Sequence, residues 1–314
     1  MTTINSVLGP LDSADLGFTL MHEHVICAFG GVNQNYPELL GDDPLGRGVT
    51  ALEKAKAGGV KTIVDATVID IGRDIELIAE ASRRSGVNII AASGWWLHVS
   101  PFLGGVSADQ LSDVFVREIE VGIAGTGIKS GILKSASDVG GVTAQAEMVL
   151  RAIARAHLRT GAPIMLHSYP TGQVGKQQLA ILVEEGVDPG RVKIDHSNDT
   201  TDVEYLTWIL EQGCYLGLDR YPGGLVSHRQ RTNTLKALID LGYADKLCPS
   251  HDHITASVQG PDPEKAAKER LKYNPHGFLF IKEVVFAQLR EMGVSEDVIG
   301  RLCVNGPRNF WEGA

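Results

Sequence analysis

The feature that most constrains this chain is a repeated alternation. A short, almost wholly apolar run is followed by a longer stretch of helical period, and the pattern recurs along the whole sequence. The runs are FTLMHEH (18–24), TIVDAT (62–67), NIIAAS (88–93), GILKSA (131–136), PIMLHS (163–168), RVKIDHS (191–197), CYLGLD (214–219) and KLCPSHD (246–252). Near-continuous apolar character is what strands buried on both faces show. The intervening stretches are amphipathic. DIELIAEASRRSG (74–86) and TAQAEMVLRAIARAHLRTG (143–161) place apolar residues at helical spacing. They end in Gly86 and Gly161, as a left-handed C-terminal cap favours, and Thr143 is a fitting N-cap. VEYLTWILEQG (203–213), TLKALIDLG (234–242) and PHGFLFIKEVVFAQLREMG (275–293) repeat the design.

Strand–helix units in succession imply a parallel sheet with right-handed crossovers. Eight of them close into a barrel. The competing open doubly wound sheet usually carries a Gly-rich phosphate loop after its first strand, where this chain has His-Glu-His. The expected fold is an α/β, (β/α)8 TIM barrel. Residues 1–314 are expected as a single domain, since no Pro/Gly/Ser linker divides them. Residues 1–16 read as a capping segment across the barrel bottom, and 254–274 as a long irregular loop after strand eight, of the kind that often serves as a lid.

Composition narrows the function classes. The net charge is −9 and there is no Lys/Arg-rich run, which argues against a nucleic-acid or anionic-membrane partner. No stretch approaches the ~20 apolar residues needed to span a membrane. The opening MTTINSVLGPLDSADLG lacks the basic-then-apolar pattern of a secretory signal, so a cytoplasmic location is expected. Cys27, Cys214, Cys248 and Cys303 are scattered without C-x-x-C spacing and read as free thiols in a reducing compartment.

The chemistry lies in the polar residues set into this apolar frame. His22 and His24 are two apart at the end of the first run, so a strand turns both to one face. Lys134 sits in the fourth run; His167, His196 and Asp252 end the fifth, sixth and eighth. All lie at C-terminal strand ends, where barrel active sites form. Singly, each has an ordinary explanation: a surface or core histidine, a salt-bridge lysine, a helix-capping aspartate. Together they need partners in a barrel mouth, and metal ions supply them. Four imidazoles and a carboxylate suit Zn²⁺ or a similar borderline ion. A strand-borne lysine also serves as a Schiff base in metal-free barrel lyases, and an inherited fold can serve binding alone. The strand-end histidines disfavour the first reading, and the convergent metal-binding residues the second.

The pocket is expected from the loops after strands: Trp95 and Trp96 after the third, Arg220 and Tyr221 after the seventh, with His98 and His228 as further contacts near the mouth. Aromatic walls suit an acyl chain or an aryl leaving group. His251 and His253 flank Asp252 and are expected to point away from its face.

Several segments carry a family likeness: LGFTLMHEHV (16–25), TIVDATVIDIGRDIELIAEASRRSGVNIIAASG (62–94), GILKSASD (131–138), PIMLHSYPTGQVGKQQLAILVEEGVDPGRVKIDHSNDT (163–200), GLDRY (217–221), SHDH (250–253) and VNGPRNFWEG (304–313). In these the chain resembles the phosphotriesterase-like lactonases of the amidohydrolase superfamily, over essentially its whole length. The resemblance implies a two-metal hydrolase. His22, His24 and Asp252 would hold a shielded ion and His167 and His196 a more exposed one. Lys134 would be carboxylated and bridge them. The ions would be Zn²⁺, with Co²⁺, Mn²⁺ or Fe as alternatives. A bridging hydroxide would attack, and Asp252 would move its proton as the catalytic residue. GLDRY looks like the lactonase branch, in which the Asp-Arg pair (Asp219 and Arg220) sits near the pocket mouth, implying small-molecule lactones, N-acyl-homoserine lactones included (a quorum-quenching activity), with weak phosphotriesterase activity. Organophosphate or aryl-ester hydrolysis, or amide hydrolysis, is the alternative. The resemblance also suggests a homodimer. The chain departs from the family at Trp95 or Trp96, where tyrosine is frequent, and at His253, where an aromatic is frequent.

Overall fold

Each apolar run becomes a strand because each must bury both faces. The computed structural model describes residues 2–97, 99–258, 260 and 262–313. A hairpin of β1 (Thr3–Ser6) and β2 (Gly9–Asp12) comes first. Then follow β3 (Thr19–Cys27), β4 (Thr62–Asp65), β5 (Asn88–Gly94), β6 (Ile132–Ala136), β7 (Ile164–His167), β8 (Val192–Ile194), β9 (Tyr215–Leu218), β10 (Leu247–Pro249) and β11 (Ile254–Ser257). From β3 to β10 each strand pairs with the next in parallel, and β11 returns to pair with β3. Only Ser250–His253 separate β10 from β11. Across that gap the Asp252 N–H donates to the His22 carbonyl (3.2 Å) and the His24 N–H to the His253 carbonyl (2.9 Å). One segment, 247–257, therefore closes the cylinder as its eighth stave. The fold is a (β/α)8 barrel.

The crossovers are helices over Pro44–Ala57, Ile75–Ser85, Ala108–Glu120, Ala144–Thr160, Val174–Glu184, Val203–Glu211 and His228–Asp240. Their ends follow from local chemistry. Asp74 and Thr143 accept from the Leu77 and Ala146 N–H groups, and Gly86 and Gly161 end their helices at φ +66° and +72°, a conformation that costs a residue with a Cβ.

The apolar interior has two parts. One lies between strands and helices. The other fills the barrel's lower half: Met21, Val64, Ile90, Ile132, Met165, Tyr215 and Cys248 stack on a plug of Ile4, Leu16, Phe310 and Trp311. The β1–β2 hairpin lies at this lower end, where the Val7 N–H donates to the Ile89 carbonyl (2.9 Å) and Asn5 Nδ2 to the carbonyls of Ile119 and Ser130 (2.9 and 3.0 Å).

The stretch 254–274 is not the irregular loop its sequence suggests. It contains β11 and a helix over Pro263–Tyr273. Ile254 and Thr255 are β-branched and find a free edge on β3. Asp262 then caps the helix through the Lys265 N–H, with a proline in its first turn. Among the described residues no helix is long and apolar enough to cross a membrane, and all four cysteines are free.

Candidate metal centre

The strands bring the six predicted ligands to one cavity by three local devices. On β3, Leu20 pairs with Ile63 but Glu23 pairs with Asp65, so three steps match two across the ladder. This bulge resets the alternation. Met21 faces the apolar interior, and His22 and His24 still face the cavity. On β6 and β7 simple alternation suffices: Ile132 and Met165 point into the interior, and Lys134 and His167 follow two residues later. His196 and Asp252 turn inward by adopting left-handed backbone, at φ +60° and +51°. Each such residue costs on the order of 1–3 kcal/mol. Hydrogen bonds from the His196 N–H to Asp219 Oδ1 (2.8 Å) and from the Asp252 N–H to the His22 carbonyl hold them there.

The four imidazoles share one arrangement. Each ties one ring nitrogen to an oxygen partner and turns the other toward the cavity. His22 Nδ1 lies 3.0 Å from Asp195 Oδ2 and 3.1 Å from Asp219 Oδ2. His24 Nδ1 meets Thr67 Oγ1 at 2.7 Å. His196 Nδ1 meets Asp219 Oδ1 at 2.9 Å, and His167 Nε2 meets Asp138 Oδ2 at 3.1 Å. A carboxylate only accepts, so it fixes the proton on the nitrogen it faces and leaves a lone pair on the other. The inward atoms form two sets. His22 Nε2 and His24 Nε2 face Asp252 Oδ1 at 3.5 and 3.3 Å. His167 Nδ1 and His196 Nε2 face each other at 2.7 Å.

Two nitrogen lone pairs at that distance repel unless a cation lies between or beside them. The donor chemistry therefore fits metal ions. Ligand atoms of His22, His196 and Asp252 lie within 4.8 Å of one another, as do those of His22, Asp195 and Asp219.

The electrostatics agree at His167 and His24, whereas His22 would have to give up a proton to an ion. Burial, aided by neighbouring His196, pushes His167 down to about 3. Burial also lowers His24, although Asp252 opposes it. Both rings are thus neutral and able to donate a lone pair. Burial works against a charge on His22 too, but Asp195 and Asp219 overcome it and push the ring up to about 9. Burial lowers the Lys134 amine, whose Nζ donates to the Ala66 carbonyl at 2.9 Å. Burial would raise Asp252, but His22, His24 and His196 hold it well below the usual carboxylate range.

A cavity of about 320 Å³ opens over these groups. Its far wall is Cys27, Ala28, Phe29, Ile71, Trp96 and Val258, with Arg220 at its polar edge. Trp96 points its indole Nε1 at His167 Nδ1 (3.4 Å), and Arg220 donates from Nε to Asp252 Oδ2 (3.3 Å). The other two expected pocket residues lie elsewhere. Gly94 packs against the Lys134 backbone at φ +139°, where a Cβ would collide. Beyond it the neighbouring tryptophans diverge, and Trp95 joins Leu111 and Phe115 in the helix layer. Tyr221 is fully buried, its ring stacked on Phe280 at 6.3 Å. His228 opens a helix and packs on the same Phe280, and His98 lies outside the described residues. His251 and His253 do turn from the cavity: His251 Nδ1 bonds Glu23 Oε1 at 2.6 Å and the His253 ring packs on Phe278.

A model of the Phosphotriesterase family matches residues 2–311. The chain belongs to the phosphotriesterase family. It is 42% identical over 324 aligned positions to a phosphotriesterase homology protein of Mycobacterium tuberculosis, covering 99% of this chain and 98% of that protein. It is 37% identical over 306 positions to an aryldialkylphosphatase of Saccharolobus solfataricus, covering 96% of each. It also superposes on the structure of the phosphotriesterase from Mycobacterium tuberculosis with a TM-score of 0.93 and 39% identity, covering 99% of this chain and 98% of the other. The chain is accordingly a metal-dependent hydrolase.

Three residues of this phosphotriesterase-family site were not foreseen from the sequence: Asp138, Lys193 and Asp195. A signal for two of them was present. Lys193 and Asp195 are opposite charges two apart inside RVKIDHS, and a strand buried on both faces tolerates such a pair only if its members meet. Asp138 gave none, because an aspartate just past a strand reads equally well as a turn residue. Asp219, expected beside Arg220 near the pocket mouth, is instead fully buried against His22 and His196, and of the pair only Arg220 reaches the cavity.

Proposed function

We propose that this enzyme opens lactone rings, N-acyl-homoserine lactones and related lactones being the substrate class, with two divalent ions at His22, His24, Lys134, His167, His196 and Asp252. The cavity carries this reading. One wall is a set of inward-facing lone pairs and the other is apolar, from Phe29, Ile71, Trp96 and Val258. An acyl lactone has the same two halves, a reactive carbonyl and a hydrocarbon chain.

In this reading His22, His24 and Asp252 would hold the shielded ion, His167 and His196 the exposed one, and a carboxylated Lys134 would serve both. Zn²⁺ suits the donors best; Co²⁺, Mn²⁺ and Fe are the alternatives. Bound ions supply Lewis acidity to the substrate carbonyl and make hydroxide available near neutral pH. The protein's own groups do the rest. Burial favours the neutral Lys134 amine, whose Nζ forms a bond to the carbon of CO₂ and releases a proton. Asp252, ionised and braced by Arg220, takes the proton of the attacking water and delivers it to the ring oxygen as the C–O bond breaks. Arg220 is itself anchored, its guanidinium donating to Asp199 Oδ2 at 2.7 Å. Trp96 limits the space beside His167. A homodimer in the cytoplasm belongs to the same proposal.

Phosphotriester or aryl-ester hydrolysis at the same site is the second reading, favoured by the likeness to the Saccharolobus solfataricus aryldialkylphosphatase. A panel of lactones of varied ring and acyl length, run beside an aryl dialkyl phosphate and an N-acyl amide with and without Zn²⁺, Mn²⁺ or Co²⁺, separates them. Lactone turnover that rises with acyl length and disappears on chelation is expected. Turnover of the phosphotriester or the amide with no lactone opened in any metal form would overturn the lactonase assignment.

A further inference from the structure

Beneath the six proposed ligands the barrel holds a second polar layer that metal ligation leaves unexplained. Lys193 lies on β8 and Asp195 just beyond it, two apart and both turned inward, and neither is exposed at all (0%). The Lys193 ammonium is salt-bridged to Asp195 Oδ1. The other oxygen, Oδ2, accepts from His22 Nδ1 at 3.0 Å. Asp219, after β9, brings a second carboxylate to the same nitrogen at 3.1 Å, while its Oδ1 takes the His196 N–H and Nδ1 at 2.8 and 2.9 Å. Gly217, between the two carboxylates, makes the room: a Cβ there would collide with Asp195 Oδ1 and come within 2.6 Å of Asp219 Oδ2.

General stability does not account for this layer. Well-packed apolar side chains of similar volume stabilise a core as well as a buried ion pair or better. Lys193's partners across the sheet, Met165 and Tyr215, are of that kind. What the layer does have is a geometric effect on one ring. A single acceptor lets an imidazole pivot about its hydrogen bond. Here Asp195 Oδ2 accepts from the nitrogen while Asp219 Oδ2 flanks it at 3.1 Å from the next strand, which removes that freedom and leaves Nε2 aimed at Asp252. Two buried carboxylates on one nitrogen crowd each other, and a cation in contact with one of them holds it in place. Atoms of His22, Asp195 and Asp219 already lie close enough together to ligate one. The Lys193 ammonium is a cation built into the chain.

We propose that Lys193 is a positioning residue for the metal centre. By fixing Asp195 under His22 it sets the aim of the His22 ring, and so how long the position formed by His22, His24 and Asp252 retains its ion. The inference rests on the two-metal reading above.

The test uses the full-length enzyme reconstituted with Zn²⁺, and in parallel with Co²⁺, as wild type, as Lys193→Met, and as Lys193→Met combined with Asp195→Ala. Metal content, the rate of ion release to an absorbing chelator, the Co²⁺ absorption spectrum and the melting temperature are measured on each. Lys193→Met should release the first ion about 10–100-fold faster than wild type, the range typical of losing an outer-shell partner. The double variant has no unpaired buried charge, so its melting temperature should recover. Its fast release and altered Co²⁺ spectrum should persist. A double variant with wild-type release and a wild-type spectrum would overturn the proposal and reduce the pair to charge compensation; it decides even if Lys193→Met does not fold. A reconstituted wild type holding fewer than two ions would instead sink the two-metal reading, and this inference with it.

Discussion

The floor and the mouth of this barrel are lined by the same strands and differ in what those strands turn inward. At the floor the inward residues are apolar, Met21, Ile90, Ile132 and Met165 among them, and Phe310 and Trp311 seal them from below. A step or two further along the same strands stand His22, Lys134 and His167, with Asp195 just past β8, while Lys193 lies level with Met165 and Tyr215 as the one charged member of the floor among these residues. The floor gains roughly 1.5–3 kcal/mol from each large side chain it buries. The mouth gains little or nothing: an ionised group taken from water costs several kcal/mol unless it is paired, and two left-handed residues add strain. Stability and chemistry are therefore stacked as layers along one axis. Substitutions in one layer should change that layer's observable and spare the other's.

The strongest way to break this comparison is Lys134→Met. Loss of the proposed bridge should remove several kcal/mol of transition-state stabilisation, roughly a 10³-fold fall in kcat/KM, while the denaturation midpoint with metal absent is maintained or raised. A midpoint that collapses with the activity would mean the layers are not separate. Next comes the floor. Phe310→Ala should cost about 3–5 kcal/mol in chemical denaturation and leave the kcat/KM of the folded fraction as it was. A smaller contrast sits within one dipeptide. Trp96→Ala should raise KM about tenfold, an aromatic contact being worth up to ~1.5 kcal/mol. Trp95→Ala should lower the melting temperature instead, and equal effects on KM would show that both rings reach substrate.

The smallest effect concerns pH at the floor side. His157, near the end of its helix, bonds the Ala162 carbonyl through Nδ1 at 2.7 Å, and burial lowers it from 6.5. The folded ring stays neutral where the unfolded one takes a proton. Its contribution is complete above about pH 6.5 and is lost as pH falls through that value toward the lowered folded one. His157→Gln should narrow the gap in melting temperature between pH 7.5 and 5.5 relative to wild type; an unchanged gap would assign that acid sensitivity to other groups.

The barrel was legible because its strands are buried on both faces and so read as apolar runs, and because helix ends obey local rules, as Thr143 and Gly161 show. The proposed ligands were legible only as a set: each residue alone has an ordinary reading, and their convergence at successive strand ends does not. The pocket wall was less so. Trp95 and Trp96 are chemically alike, and which one reaches the cavity depends on how the backbone leaves β5, with the Trp95 N–H on the Lys134 carbonyl and the Trp96 N–H on Asp70 Oδ1. Tyr221 follows the same run as Arg220, yet its ring is taken up by Phe280, a residue far along the chain whose position no local pattern reveals. The fold of 254–274 was hidden for a related reason: β11 exists only because β3 offers it an edge.

That edge has a further meaning. Asp252 lies in the short gap where the last stave lets go of β9 and takes hold of β3, so the seam of the cylinder and the proposed proton carrier are one stretch of chain. Any breathing that parts 247–257 from its neighbours must carry Asp252 away from His22 and His24. Whatever draws those three side chains together, in turn, acts as a rivet through the joint, and the amide protons of the seam should exchange with solvent more slowly once it is in place.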